Sequence, residues 1–173
     1  MVAQRQALSP EQVRSASAAI ERRLAKVPEF QAARCVSAYV STGQEVGTHG
    51  LIRHLLASGR EVVVPVFRDG RYGVGRVEDF DADLRPGHWG ILEPRVVRAG
   101  GEPEVWLVPG VAFDRRGYRL GHGRGYFDQL LAGQPGTKIG LAYDFQIVET
   151  VPVAAHDVRL DYIITEHQTI KGT

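Results

Sequence analysis

Apolar positions along the chain follow two rhythms. From Val13 through Ala16 and Ile20 to Leu24 they recur at the spacing of one helix face. The start of that helix is marked: Ser9 is a natural N-cap, Pro10 suits the first helical position and Gln12 can close a capping box. The pattern predicts a helix over about Pro10–Lys26. The pairs Leu51/Leu55 and Ile52/Leu56 predict another over about His49–Ser58, stopped by Gly59. The second rhythm is continuous rather than periodic. Cys35–Val40, Glu61–Val66, and the runs VWLVPGVAF, KIGLAY and DYIIT are short apolar stretches bounded by turn residues. They read as strands buried on both faces, as in a parallel sheet.

Between these blocks lies a polar middle, Arg68 to Glu104, where the turn RDGR, the short alternation YGVGRV and the segment RPGHWGILEP predict no long element. It is expected to wrap the sheet edge. A short helix is predicted from about Gly125 to Leu131, after a glycine-rich loop. Strands alternating with helices imply an α/β fold, a mostly parallel sheet with helices on both faces. The length of 173 residues suits one domain spanning 1–173. A net charge of +1 gives no polyelectrolyte signal, and the arginines cluster in one loop instead of interleaving with aromatics, which argues against nucleic acid. No apolar run is long enough to span a bilayer and the N-terminus carries no signal-like apolar core, so a cytoplasmic protein without membrane contact is expected. The single cysteine, Cys35, reads as a buried strand thiol.

In such sheets the ligand sits beyond the carboxyl ends of the strands. The loops there carry Glu45, Arg115, Arg116, Arg119, Arg124, Asp128, Asp144, His156 and Asp157. The stretch Arg119–Leu131, RLGHGRGYFDQLL, stands out. Glycines at 121, 123 and 125 let the backbone adopt positive φ and approach a ligand with no Cβ between. Arg119 and Arg124 can fork onto phosphate oxygens, and the following helix adds the positive end of its dipole. The loop is neither a Walker A sequence nor the dinucleotide fingerprint. On the glycines alone, a tight strand-to-helix connection with solvated arginines explains it equally well.

The full run VPGVAFDRRGYRLGHGRGYFDQLL, Val108 to Leu131, closely resembles the signature of the 5-formyltetrahydrofolate cyclo-ligase family. ALSPEQ, AYVSTGQEVGT, GILEP and GLAYDFQIVETVPVAAHDVRLDYIITE support the resemblance in the family's order over nearly the whole chain. It implies a fold similar to that of CoA transferases and sugar-phosphate isomerases, and ATP-dependent closure of 5-formyltetrahydrofolate to 5,10-methenyltetrahydrofolate. In that reaction the formyl oxygen accepts the γ-phosphoryl group, N10 attacks the activated carbon, and phosphate leaves.

The resemblance also implies roles for residues. ATP would be bound by Arg119, Leu120, Gly121, His122, Gly123, Arg124, Gly125, Tyr126 and Phe127, with Arg119, Arg124 and Tyr126 nearest the chemistry. Folate would meet Val40, Glu45 and the stretch His122–Tyr126, and Glu45 would accept hydrogen bonds from the amino-pyrimidine edge of the pterin. Asp128 and Asp157 match magnesium-binding acids. Trp89 could stack on a ring of either ligand or anchor its loop. From the residues alone, Asp128 reads as a first-turn helix acid and Asp157 as a solvated loop acid, and Glu45 can be a solvated acid, Val40 a core residue and Tyr126 a packing residue. A monomer is expected. The sequence departs from the family pattern at Phe127 and Gln129, and no Lys-x-x-x-Arg precedes Leu8–Ser9. That last departure implies weaker ATP binding and keeps a non-catalytic folate- or nucleotide-binding relative, or a sugar-phosphate or CoA-ester enzyme, as alternatives.

Overall fold

A computed structural model describes residues 1–172 except Asp69, His88, Trp89 and Arg124. Its centre is a seven-stranded sheet. In chain order the strands that build it are β1 (Cys35–Ser37), β2 (Glu61–Arg68), β3 (Arg71–Val77), β6 (Val105–Val108), β9 (Thr137–Leu141), β11 (Tyr162–Ile164) and β12 (Thr169–Lys171). They lie in the order β12-β11-β9-β6-β1-β2-β3. The five inner strands are parallel and the two edge strands antiparallel. The expected mostly parallel sheet is therefore present.

Residues of the inner strands alternate between two cores. Val105, Leu107 and Ile164 face one cluster, with Ile20 and Leu24 of α2 (Pro10–Leu24), Phe30 of α3 (Pro28–Ala32), and Leu51, Ile52 and Leu55 of α4 (His49–Ala57). Trp106, Val108 and Ile163 face the other, with Leu130 and Leu131 of α6 (Tyr126–Leu131). Helices thus cover both faces. At the start of α2 the capping box forms: Ser9 Oγ accepts from Gln12 N–H (3.2 Å) and Gln12 Oε1 from Ser9 N–H (2.8 Å). Observed ends differ from the predicted ones by a residue or two in α2 and α4. The short helix α3 lies outside the prediction, and a further short helix, α1 (Val2–Gln6), precedes the Ser9 cap.

Two expectations are corrected. VWLVPGVAF is two strands, not one: β6 ends at Val108, and after Pro109–Gly110 the chain forms β7 (Ala112–Asp114) in a separate sheet of order β10-β7-β8, with β8 at Arg119–Leu120 and β10 at Ile147–Val148. Pro109 has no N–H to continue the ladder, so the chain leaves the main sheet there. The polar middle does contain a long element, since β3 pairs antiparallel with β2 from Val62↔Val77 to Arg68↔Arg71. Its period was hidden by Gly73 and Gly75, which contribute no side chain to the alternation. Beyond it α5 (Phe80–Asp83) and the hairpin of β4 (Leu84–Pro86) and β5 (Leu92–Pro94) fold over that edge, β5 packing on β2 and β3. No described helix is long and apolar enough to cross a membrane.

Candidate active site

The break at Pro109–Gly110 opens one wall of a cavity of about 500 Å³. Loops after three parallel strands line it: Glu45 after β1, Pro109, Gly110 and parts of the stretch from Arg119 to Asp128 after β6, and Pro152, His156 and Asp157 after β9. This is the position expected for a ligand at the carboxyl ends of a parallel sheet.

Glu45 belongs to a loop held from below. Thr48 Oγ–H donates to Tyr39 O (2.6 Å), Tyr39 O–H to Val46 O (2.9 Å), and Tyr143 O–H to the carbonyl of Glu45 itself (3.1 Å). The Glu45 Oε2 atom accepts from Thr42 N–H at 2.8 Å and its Oγ–H at 3.3 Å. Oε1 has no hydrogen-bond partner among the described residues. One carboxylate oxygen is therefore oriented and the other available.

In the glycine loop only Gly123 and Gly125 take positive φ, +84° and +59°. Gly121 does not, contrary to expectation. Yet a Cβ at Gly121 or Gly123 would meet no protein atom within 4 Å. Both glycines line the cavity and have open space beside them. Gly125 caps α6, and Asp128 sits in the first turn of that helix, where its dipole favours an anion.

The Arg119 side chain is 3% exposed and donates from Nη1 to Asp128 Oδ1 at 2.9 Å. Val158 N–H donates to the same oxygen at 3.1 Å. No described residue donates to Asp128 Oδ2, whereas Asp157 Oδ2 accepts from Ala154 N–H (2.7 Å) within its own turn. Because Val158 follows Asp157, the bond from Val158 to Asp128 brings the two acids to the same corner of the cavity. The Tyr126 ring packs tilted, at 57°, against that of Tyr72 of β3 with centroids 4.1 Å apart. Burial, with Tyr72 and Glu93 beside it, pushes its phenol up to about 12. Tyr126 therefore keeps its proton at neutral pH and can act as a hydrogen-bond donor but not as a base. Phe127 bridges the two cores and lies 5.9 Å below the Arg119 guanidinium.

Residues 1–166 match the family described as the 5-formyltetrahydrofolate cyclo-ligase family. The chain belongs to that family. A probable 5-formyltetrahydrofolate cyclo-ligase of Caenorhabditis elegans is 34% identical, covering 94% of this chain and 87% of its own. The 5-formyltetrahydrofolate cyclo-ligase of Escherichia coli K12 is 30% identical over 93% of each. The NMR structure of 5,10-methenyltetrahydrofolate synthetase from Aquifex aeolicus superposes with a TM-score of 0.86 at 34% identity, covering 98% of this chain and 87% of that one.

For a cyclo-ligase family member, most residues expected at the site do line the cavity: Glu45, Arg119, Leu120, Gly121, His122, Gly123, Gly125, Tyr126, Phe127, Asp128 and Asp157. Arg124 and Trp89 lie outside the described residues. Val40 does not line the cavity: it is buried in the core beside α2 and α4. Arg115, Arg116 and Asp144 point elsewhere, to Gln168, Asp114, and Thr165 with Gln168. Cys35 is buried at the other end of the sheet, and burial, then Glu61 and Glu104, pushes its thiol up to about 11, so it is no nucleophile.

The described lining residues include three carboxylates, Glu45, Asp128 and Asp157, and one guanidinium, that of Arg119. That balance suits a cation. No group of three or more metal-ligating side chains occurs among the described residues, and the two acids at this corner, Asp128 and Asp157, carry hard oxygen atoms. This fits Mg²⁺, which keeps waters and completes its octahedron with phosphate oxygens. Sequence reasoning missed Tyr72, Gly110 and Pro152. The first lies on the strand whose period the glycines hid. Gly110 also accepts at its carbonyl from Gln146 Nε2 (3.0 Å) and from Arg5 Nη1 of α1 (3.4 Å), which no local pattern announces.

Proposed function

We propose that this chain closes 5-formyltetrahydrofolate to 5,10-methenyltetrahydrofolate, consuming ATP to ADP and phosphate, with Mg²⁺ held at Asp128 and Asp157. The observation that carries the reading is the cavity itself. One wall offers a bare glycine backbone, one corner an aspartate whose described donors all reach one oxygen, and another loop a glutamate whose described donors all reach one oxygen. Phosphoryl transfer asks a protein mainly for positioning and charge neutralisation, and this arrangement supplies both.

In this reading the backbone N–H groups at Gly121–Gly125 and the side chain of Arg124 receive the phosphates. Arg119 does not contact them first. Its guanidinium is buried over the Phe127 ring and holds Asp128 Oδ1, so it orients the acid and leaves Oδ2 toward the cavity. Mg²⁺ there would neutralise charge on the transferring phosphoryl group. Glu45 Oε1 accepts from the pterin edge and turns the formyl oxygen toward the phosphates. Tyr126, protonated and braced by Tyr72, donates toward the ligands where they meet. The formyl oxygen departs as part of phosphate once N10 has attacked the carbon.

The test follows absorbance of the methenyl product after mixing the protein with 5-formyltetrahydrofolate, with and without Mg-ATP. Product that requires both ATP and Mg²⁺ is expected. Folate binding without product at any ATP concentration would move the chain to the non-catalytic reading.

A further inference from the structure

Asp114 closes strand β7 and is fully buried, 0% exposed, although it does not line the cavity. Both of its oxygens are saturated. Oδ1 accepts from Arg116 N–H (3.0 Å) and Tyr118 N–H (3.2 Å). Oδ2 accepts from Arg116 Nε (3.0 Å) and Nη2 (2.6 Å), and from Val151 N–H (3.1 Å). Four of these five donors, on Arg116 and Tyr118, belong to the turn that leads into Arg119. The fifth belongs to the loop that carries Pro152, His156 and Asp157. Arg116 spans the same gap, since its Nη2 also donates to Val151 O at 3.3 Å.

The loop 151–158 has little regular structure of its own. It is held at one end by Val151 on Asp114, at the other by Val158 on Asp128, and between them by the Ala154–Asp157 turn, where Asp157 N–H donates to Ala154 O (3.1 Å). A carboxylate that accepts several N–H bonds in a dry site is a stiff anchor, because any movement leaves charge unpaired. Metal affinity in turn depends on how well ligands are held by the groups behind them.

We propose that Asp114 is a positioning residue for the metal site: it fixes the loop 151–158 so that Asp157 stands opposite Asp128. The inference rests on the assignment of those two acids as metal ligands. Its distinctive claim is mechanical, that an anchor at Val151 is felt at Asp157 and Val158.

Two measurements on the full chain separate the mechanical claim from the metal assignment. One is the affinity for Mn²⁺ in the presence of ADP, read from the spin-resonance signal of free Mn²⁺. The other is hydrogen exchange of the Val151, Asp157 and Val158 amides. In Asp114→Asn, Mn²⁺ binding should weaken about tenfold and all three amides should exchange at least about tenfold faster, with folate affinity within about twofold of the parent. Faster exchange at Val151 alone, or unchanged Mn²⁺ affinity, overturns the proposal. Asp128→Asn serves as the check on the assignment. If that variant keeps full Mn²⁺ affinity the metal reading fails, and the proposal built on it fails too, while exchange in Asp114→Asn still reports whether the loop is anchored. Should Asp114→Asn not fold, Arg116→Met removes only a half-exposed partner and must show the same pattern at about threefold amplitude. Parent-like exchange and Mn²⁺ affinity in Arg116→Met would then overturn it.

Discussion

Arg116–Asp114 and Arg119–Asp128 are two arginine–aspartate pairs on neighbouring turns of the same motif, with contacts of 2.6 and 2.9 Å. Their exposures are inverted. In the first pair the acid is 0% exposed and the arginine 48%, and in the second the arginine is 3% exposed and the acid 15%. Asp114 has both oxygens filled by protein donors, whereas Asp128 has its described donors on Oδ1 alone. The same two side chains thus do opposite work. Where the acid is saturated it organises the chain, and in the function proposed above the buried arginine presents its acid to a ligand. Ion-pair geometry alone does not separate these cases; the unfilled oxygen does.

The sharpest way to break the comparison is Asp128→Asn. It keeps the shape and the Arg119 contact but removes charge where Mg²⁺ would neutralise phosphate. Turnover should fall by a hundred- to a thousandfold, about 3–4 kcal/mol of barrier. Folate binding should barely change, while the unfolding free energy should fall by about 3 kcal/mol, because the Arg119 guanidinium, 3% exposed, loses its charge partner. Steady-state kinetics beside thermal unfolding checks both halves, and a variant that is destabilised but active would make Asp128 structural like Asp114.

The next effect belongs to the turn that Asp114 closes. Gly117 has φ +94°, and a Cβ there would stand 2.4 Å from the carbonyl oxygen of Leu160. Neither the left-handed backbone nor the approach of another backbone segment is compatible with a side chain. Gly117→Ala should cost about 3 kcal/mol in denaturant unfolding, from strain plus displacement of Leu160. Per-molecule turnover of the folded fraction should fall much less than in Asp128→Asn.

Asp114→Asn should cost somewhat less, about 2 kcal/mol, because the arginine it abandons is half exposed and regains water, unlike a fully buried charge left alone. Its pH signature is specific. Burial acts to raise the Asp114 carboxyl, but the Arg116 side chain and the N–H groups of Val151, Tyr118 and Arg116 outweigh it and hold the carboxyl below its ordinary value. The folded chain therefore binds this proton less readily than the unfolded chain. The stabilisation is complete above the ordinary carboxylate value of about 4 and is lost as pH falls through the lower folded value. In the parent, unfolding free energy should drop steeply with acid below about pH 4. In Asp114→Asn that slope should be shallower. Asp83 and Asp144, also held low by hydrogen bonds, keep it from vanishing.

How much of this was legible depends on whether the cause is local. The Ser9–Gln12 box, the α4 pairs and the apolar parallel strands are set by neighbours in sequence, and they appear where the pattern puts them. The cavity residues after Arg119 were legible because the motif is contiguous. What was not legible is set by distant partners. Asp114 needs Val151, Tyr126 needs Tyr72, and Arg119 was expected to face phosphate because nothing local shows that Phe127 and Asp128 bury it. The break in VWLVPGVAF was locally signalled by Pro109, but the apolar run on either side masks it.

The smallest expected effect on stability separates the two turns at their glycines. Gly117 and Gly121 are four residues apart, each beside one of the pairs, and the first has no room for a side chain while the second has open space and no positive φ. A glycine that the fold does not require is explained by what comes to it: a Cβ at Gly121 would point into the space where phosphate oxygens are expected to approach the backbone. Gly121→Ala should leave the unfolding free energy within about 0.5 kcal/mol of the parent, or raise it slightly by restricting the unfolded chain. The KM for ATP should nevertheless rise about tenfold, with the KM for 5-formyltetrahydrofolate changed much less. Parent-like constants for both substrates would mean that the open space at Gly121 faces solvent and that the phosphates are received further along, at Gly123 and Gly125.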